Sequence, residues 1–276
     1  MDTARPTVMI MTTVRGTITT MGIRTGTAIV MGIPMTTEPV SLASLYRLLA
    51  FLSPAFPVGA FTYSHGLEQV IEEGDVSDAA SLEAWLLDIL KYGSGRSDAI
   101  LLKETMGAAK QGDEAAVREL IDLGLALQPS RERHLETSAQ GSAFIEAVLK
   151  AWVPEAEGAA AVLFTRLTDP SSVDRPKLWP YPVAVGLVAA AWEIPVEATV
   201  TGFLHAFMAN VISAAVRAVP LGQSDGQRVL AWLEPAVAGV TEGALRSGLD
   251  DLGSSTFLGD IASMAHETKY SRLFRS

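Results

Sequence analysis

From Leu42 to the end of the chain, apolar side chains recur every three or four residues, and the two-residue alternation of a half-buried strand is absent. Leu42, Leu45, Leu48, Leu49 and Leu52 make one such stripe; Leu82, Trp85, Leu86, Ile89 and Leu90 make another. A chain patterned only this way can bury its stripes against other helices and little else. The predicted class is all-α.

Punctuation divides the helices. Ser41 is placed to cap the first, and Pro54 and Pro57 stop it and force extended backbone. Ser64 is the expected cap of a short helix to about Glu73, ended by Gly74, and Ser77 or Asp78 opens the next. Further helices are predicted at about 97–110, 113–127, 130–152, 154–168, 182–192, 195–219, 224–240 and 257–267. The proline-rich stretch Thr168–Pro182 is the longest loop, and its composition is not that of a linker. The expectation is a single domain of roughly ten helices in an irregular bundle.

Composition narrows the partners. Of 276 residues, 49% are hydrophobic and 19% charged, enough for a sizeable core. A formal charge of -10 argues against nucleic acid or an anionic membrane surface, both of which select basic faces. Zero cysteines exclude disulfides, thiolate metal sites and cysteine nucleophiles. The apolar run Val183–Trp192 is too short to cross a bilayer, and Ala198–Val219 contains His205, Asn210 and Arg217, as a central bundle helix would.

No catalytic set emerges. There is no Gly-x-Ser-x-Gly elbow, no phosphate loop and no His-Glu-x-x-His, and Gly93-Ser-Gly95 lacks a cradle lysine. His65, His134, His205 and His266 lie about seventy residues apart, without the close partner that helix-borne metal sites use. Glu72-Glu73 and Asp250-Asp251 read as solvated helix ends. No catalytic, metal or cofactor residue is assigned. A small-molecule pocket between helices is the alternative that a single sequence could conceal.

Two segments stand out. Ser53-Pro-Ala-Phe-Pro-Val-Gly-Ala-Phe-Thr-Tyr-Ser-His-Gly-Leu-Glu68 is a Pro/Gly-punctuated loop entering a helix. The ending, Ser263-Met-Ala-His-Glu-Thr-Lys-Tyr-Ser-Arg-Leu-Phe-Arg-Ser276, crowds aromatic and Arg residues where chains usually fray. With a third block, Val219-Pro-Leu-Gly-Gln-Ser-Asp-Gly-Gln227, these segments closely resemble the urease accessory protein UreF family. The resemblance implies a cytoplasmic, non-catalytic assembly factor. Such a factor would bind UreD (UreH in some systems), form a homodimer within the complex, and recruit the GTPase UreG. The complex would insert nickel into the urease apoprotein.

On that resemblance, the expected partner-binding residues are Phe61, Tyr63, His65, Glu68, His266, Tyr270, Arg272, Phe274 and Arg275. Arg96, Arg272 and Arg275 are candidates for an Arg finger toward a GTPase. The two outer blocks are expected to lie close together, and Glu68, in the first turn of its helix, is placed either to suit the helix dipole or, where the blocks meet, to hold Arg272 or Arg275. The terminal block is expected to be mobile in the free chain, so that removing residues 257–276 leaves the helical fold intact.

Residues 1–40 are a different text: eleven Thr, six of the nine Met and no Leu. They are read as a disordered tail preceding an all-helical domain at 41–276. Met9–Val14 can be encoded ATG-ATC-ATG-ACC-ACG-GTC, which after a C and one base earlier gives His-Asp-His-Asp-His-Gly. A nickel chaperone with a His-rich tail often precedes members of the resembled family. Residues 1–34 are accordingly expected to be out-of-frame translation, with Met35 the true start.

Overall fold

The computed structural model describes residues 11–13, 17–19, 39–155 and 157–276. It divides into two units, Met1–Glu38 and Pro39–Ser276. In the first, Met11–Thr13 pairs antiparallel with Thr17–Thr19, Met11 opposite Thr19. The expected disorder of residues 1–40 otherwise falls outside the described residues.

The second unit is all-α. Its helices are α1 (Leu42–Phe51), α2 (Leu67–Glu73), α3 (Ala79–Tyr92), α4 (Ser94–Gln111), α5 (Glu114–Ala126) and α6 (Arg131–Ala151). They are followed by α7 (Ala159–Thr168), α8 (Tyr181–Ala191), α9 (Val196–Ala218), α10 (Gln223–Arg246) and α11 (Phe257–His266). The expected caps Ser41 and Asp78 form, and Asp113 and Ser130 cap their helices in the same way. The side chains of Ser41, Asp78, Asp113 and Ser130 accept from Ser44 N, Ser81 N, Ala116 N and Arg133 N at 2.8–3.1 Å. Each such cap contributes about 1 kcal/mol.

α8 is the axis of the bundle. All ten residues from Pro182 to Ala191 are buried, which explains why this helix is apolar on every face. It packs against α4, α6 and α7, while α10 lies along α9 and α3. Two glycines permit the closest approaches. A Cβ at Gly186 would stand 2.7 Å from the Leu102 carbonyl oxygen, and one at Gly141 would stand 1.9 Å from that of Trp179. Among the described residues, α9 alone is long and apolar enough to cross a membrane, and half of its apolar window is buried within the fold.

Four boundaries differ from expectation, among them the start of α7, at Ala159 behind Gly158 rather than at about 154. α4 starts at Ser94 rather than 97, because Gly95 lets its first turn sit against Leu90. α10 continues to Arg246, through Pro235. That proline lies on the exposed face, where water can satisfy the backbone acceptor it leaves free. α2 begins at Leu67 rather than Ser64, behind Gly66 with φ 76°. The Ser64 oxygen still accepts from the Glu68 N–H at 3.3 Å, but its N–H and hydroxyl are directed to a distant partner, and that partner defines the candidate site.

Candidate functional site: a terminal strap on buried carboxylates

After α11 the chain leaves through a turn and runs as a non-helical strap of bends, residues 267–276, back across the loop that precedes α2. The Ser64 N–H donates to the Ser276 carbonyl at 2.8 Å, and the Ser64 hydroxyl donates to the same oxygen. The Arg275 N–H donates to the Thr62 carbonyl at 2.8 Å. The first and last sequence blocks therefore meet. The loop is shaped for this: His65 (φ 62°) and Gly66 are both left-handed, and a Cβ at Gly66 would press on the Ser263 backbone at 3.2 Å.

Beneath the strap lie three buried carboxylates, Glu68 on α2 and Glu132 and Glu136 on α6. Glu68 accepts from the Leu273 N–H at 2.9 Å, the Phe274 N–H at 3.0 Å and His266 Nε2 at 3.1 Å. Glu132 accepts from His266 Nδ1 at 2.6 Å and from Arg272. Glu136 accepts from the Ser276 hydroxyl at 2.7 Å and from Arg133. The His266 ring, fully buried, thus faces a carboxylate at each nitrogen. Glu267 and Lys269 extend the ties, the first accepting from the Arg131 N–H at 2.7 Å, the second 2.8 Å from Glu72.

Electrostatics follow from burial. Burial alone would push the Glu68 carboxyl up, but the two strap N–H groups and His266 hold it below the usual range. Glu136 is likewise held well below that range against its burial, mainly by the Arg133 charge. His65 is lowered to about 4, first by burial and then by Arg133, so its ring is neutral at pH 7. Its Nε2 lies 2.7 Å from the Ser94 hydroxyl. Asp98, which lines the same small cavity as His65 and Arg133, is pushed up to about 7 by burial.

The expected site residues now separate into two groups. Tyr63, His65, Glu68, His266 and Phe274 are buried, so they support the strap from within. Phe61, Tyr270, Arg272 and Arg275 reach the surface, Tyr270 with its whole side chain. Arg217, at the end of α9 beside the third block, lies over the Phe61 ring at 3.6 Å and the Phe274 ring at 4.5 Å. Glu68 does not hold Arg272 or Arg275: Arg272 reaches Glu132, and Glu68 takes backbone N–H groups instead. The terminal block is not separate from the core either. Ala262, Ser263, His266, Phe274 and Ser276 are buried, so deleting residues 257–276 would uncover apolar surface and three carboxylates.

Sequence reasoning missed Glu132, Arg133 and Glu136. Their signal was present as two carboxylates four residues apart just after the Ser130 cap, on one face of α6. A charge run of this kind reads as a solvated face. His134 lies on the rim of a groove with Arg272 and Phe274, and His205 lines a cavity of about 200 Å³ with Asp98, Arg133 and Glu136. Among the described residues, no cluster of three or more potential metal ligands occurs. Arg96 points away from the strap, donating to the Asp251 carbonyl.

Comparison with known proteins identifies the scaffold. The UreF family model matches residues 76–234. The chain is 52% identical over 234 residues to the urease accessory protein UreF of Rhodopseudomonas palustris (strain HaA2), covering 85% of this chain and 94% of the relative. This chain belongs to the UreF family. It is also 49% identical over 249 residues to the UreF of Bradyrhizobium diazoefficiens, covering 87% of this chain and 98% of the relative. For the UreF of Methylobacterium sp. (strain 4-46) the identity is 52% over 229 residues, covering 83% and 87%. These relatives are named urease accessory proteins. Both strap-forming blocks lie outside the stretch matched by the UreF family model.

Proposed function

We propose that this UreF-family chain is a non-catalytic assembly factor for urease. It binds a UreD-type subunit (UreH in some systems), forms a homodimer within that complex, and recruits the GTPase UreG. The assembly acts in the cytoplasm on the urease apoprotein during nickel insertion. One observation carries the reading: the docked strap leaves Tyr270 and Leu273 outward, after a helix whose exposed face is Phe257, Leu258, Ile261 and Met264. Apolar and aromatic side chains held outward on a fixed backbone are the composition of an interface centre.

Direct contact then falls to Phe61, Tyr270, Arg272 and Arg275, while Tyr63, His65, Glu68, His266 and Phe274 act from beneath. The test is co-expression with tagged UreD- and UreG-type proteins, with urease activity followed in cells lacking the chain. Co-purification of the set and loss of nickel-dependent activity support the reading. Full urease activation without the chain refutes it.

A further inference from the structure

The strap rests mainly on side chains that no partner could touch. Glu68, Glu132 and His266 are each buried, yet together they fix three strap positions: the start at His266, Arg272, and the Leu273–Phe274 backbone. Glu68 places one oxygen on the Leu273 N–H and the other on the Phe274 N–H, which fixes the direction of the backbone there as well as its position. Leu273, whose N–H is held, has its side chain exposed, while Phe274, the next residue, is buried under Arg217. A shift of the strap by one residue would exchange those two sides.

We propose that Glu68, Glu132 and His266 are positioning residues for partner recognition. They form a clamp that sets the register of the strap and thereby presents Tyr270 and Leu273, without contacting the partner. This inference rests on the assembly-factor reading. The division of labour is chemical. A carboxylate accepting backbone N–H groups recognises the path of the strap and not its side chains, so register is set independently of what the strap displays. A lone docked segment without such ties would have to be ordered at the moment of binding, which lowers affinity.

The test uses the full chain with a tagged UreD-type subunit as the probe. Four proteins are compared: wild type, Glu68→Gln, Tyr270→Ala, and Glu68→Gln carrying Ser64→Cys and Ser276→Cys. The chain has no cysteine of its own, so the oxidised pair is the only possible tether, and it joins residues already bonded through their backbones. Glu68→Gln loses the charge and one acceptor oxygen, so Leu273 and Phe274 amide exchange should speed up by about tenfold or more. Affinity for the probe should fall by a similar factor, and oxidation of the cysteine pair should restore it. Tyr270→Ala should weaken binding with strap exchange unchanged.

Binding that falls in Glu68→Gln and is not restored by the tether overturns the proposal, as does a loosened strap with unchanged affinity. Should Glu68→Gln lose its helical circular dichroism, Glu132→Gln is read in the same way, since it leaves His266 and Arg272 one shared acceptor oxygen. Failure of wild type to hold the probe overturns the assembly reading and this inference with it. Wild-type binding with an unaffected clamp variant overturns this inference alone.

Discussion

Replacing His266 by alanine removes the ring that bridges two buried carboxylates. The ring sits 2.6 Å from Glu132 and 3.1 Å from Glu68, and is itself inaccessible to solvent. A hydrogen bond to a buried charged group contributes about 1.5–3 kcal/mol, and one is lost from each of the two carboxylates. Here the loss is at the lower end. Glu132 keeps Arg272, and Glu68 keeps the Leu273 and Phe274 N–H groups, so neither carboxylate is stranded. A loss of about 3 kcal/mol lowers Tm by roughly 6–12 °C in a domain of this size. Release of the strap is the cheaper response, so amide exchange at residues 268–276 should rise before the bundle melts. Thermal unfolding by circular dichroism and hydrogen exchange by mass spectrometry measure the two effects. A Tm within 2 °C of wild type, with the strap amides still protected, refutes the claim that His266 ties the terminus down.

Gly141→Ala should be strongly destabilising or prevent folding, since its Cβ would overlap the Trp179 carbonyl; an unchanged urea midpoint contradicts the close approach of α6 to the loop before α8. Asp98 is an acid whose folded pKa is raised to about 7, so its stability cost is absent near pH 4 and grows as pH rises toward 7. Asp98→Asn should therefore raise Tm more at pH 8 than at pH 4; equal gains refute the assignment. Glu68 and Glu136 titrate lower in the folded state than unfolded, so the stability they contribute is full above the unfolded value of about 4.3 and is lost as pH falls below it. Strap protection followed by hydrogen exchange should fall with them on acidification. Arg217→Ala uncovers Phe61 and Phe274 together, and fluorination of both rings should report the change as two shifted ¹⁹F resonances.

Much of the fold was legible because helix propensity, caps and apolar period agree over most of the domain. Ser41, Asp78, Asp113 and Ser130 cap as their residue types predict, and the all-apolar α8 is the central helix. The boundaries that moved did so for tertiary reasons. Ser64 is a good cap by type and its oxygen accepts from the Glu68 N–H, but its own N–H and hydroxyl are drawn to the Ser276 backbone oxygen, 212 residues away, and the regular helix starts only after the left-handed Gly66. No local pattern reports a competitor so distant in sequence. Pro235 lies inside the helix expected at 224–240, and it is tolerated there because its turn faces water.

The site was legible as two blocks but not as a circuit. Aromatic and Arg residues at the terminus read as outward anchors, and Glu68 stood out beside them, yet two of the deciding partners, Glu132 and Glu136, are glutamates of ordinary appearance. Glu132 and Glu136 look solvated because a charged residue on a helix usually is. Their burial becomes tolerable only because the strap brings His266, Arg272 and Ser276 to them, and the strap stays down only because they are there. Neither half is stable in the dry interior without the other, so neither can be inferred from its own sequence. The same mutual dependence explains the outward pattern. With its backbone held from beneath by fixed acceptors, the strap can expose Tyr270 and Leu273 fully while burying Phe274 between them and the core. Exposed residues that close to a buried anchor keep their geometry without a partner, and a surface whose geometry is already set loses less entropy when a partner arrives.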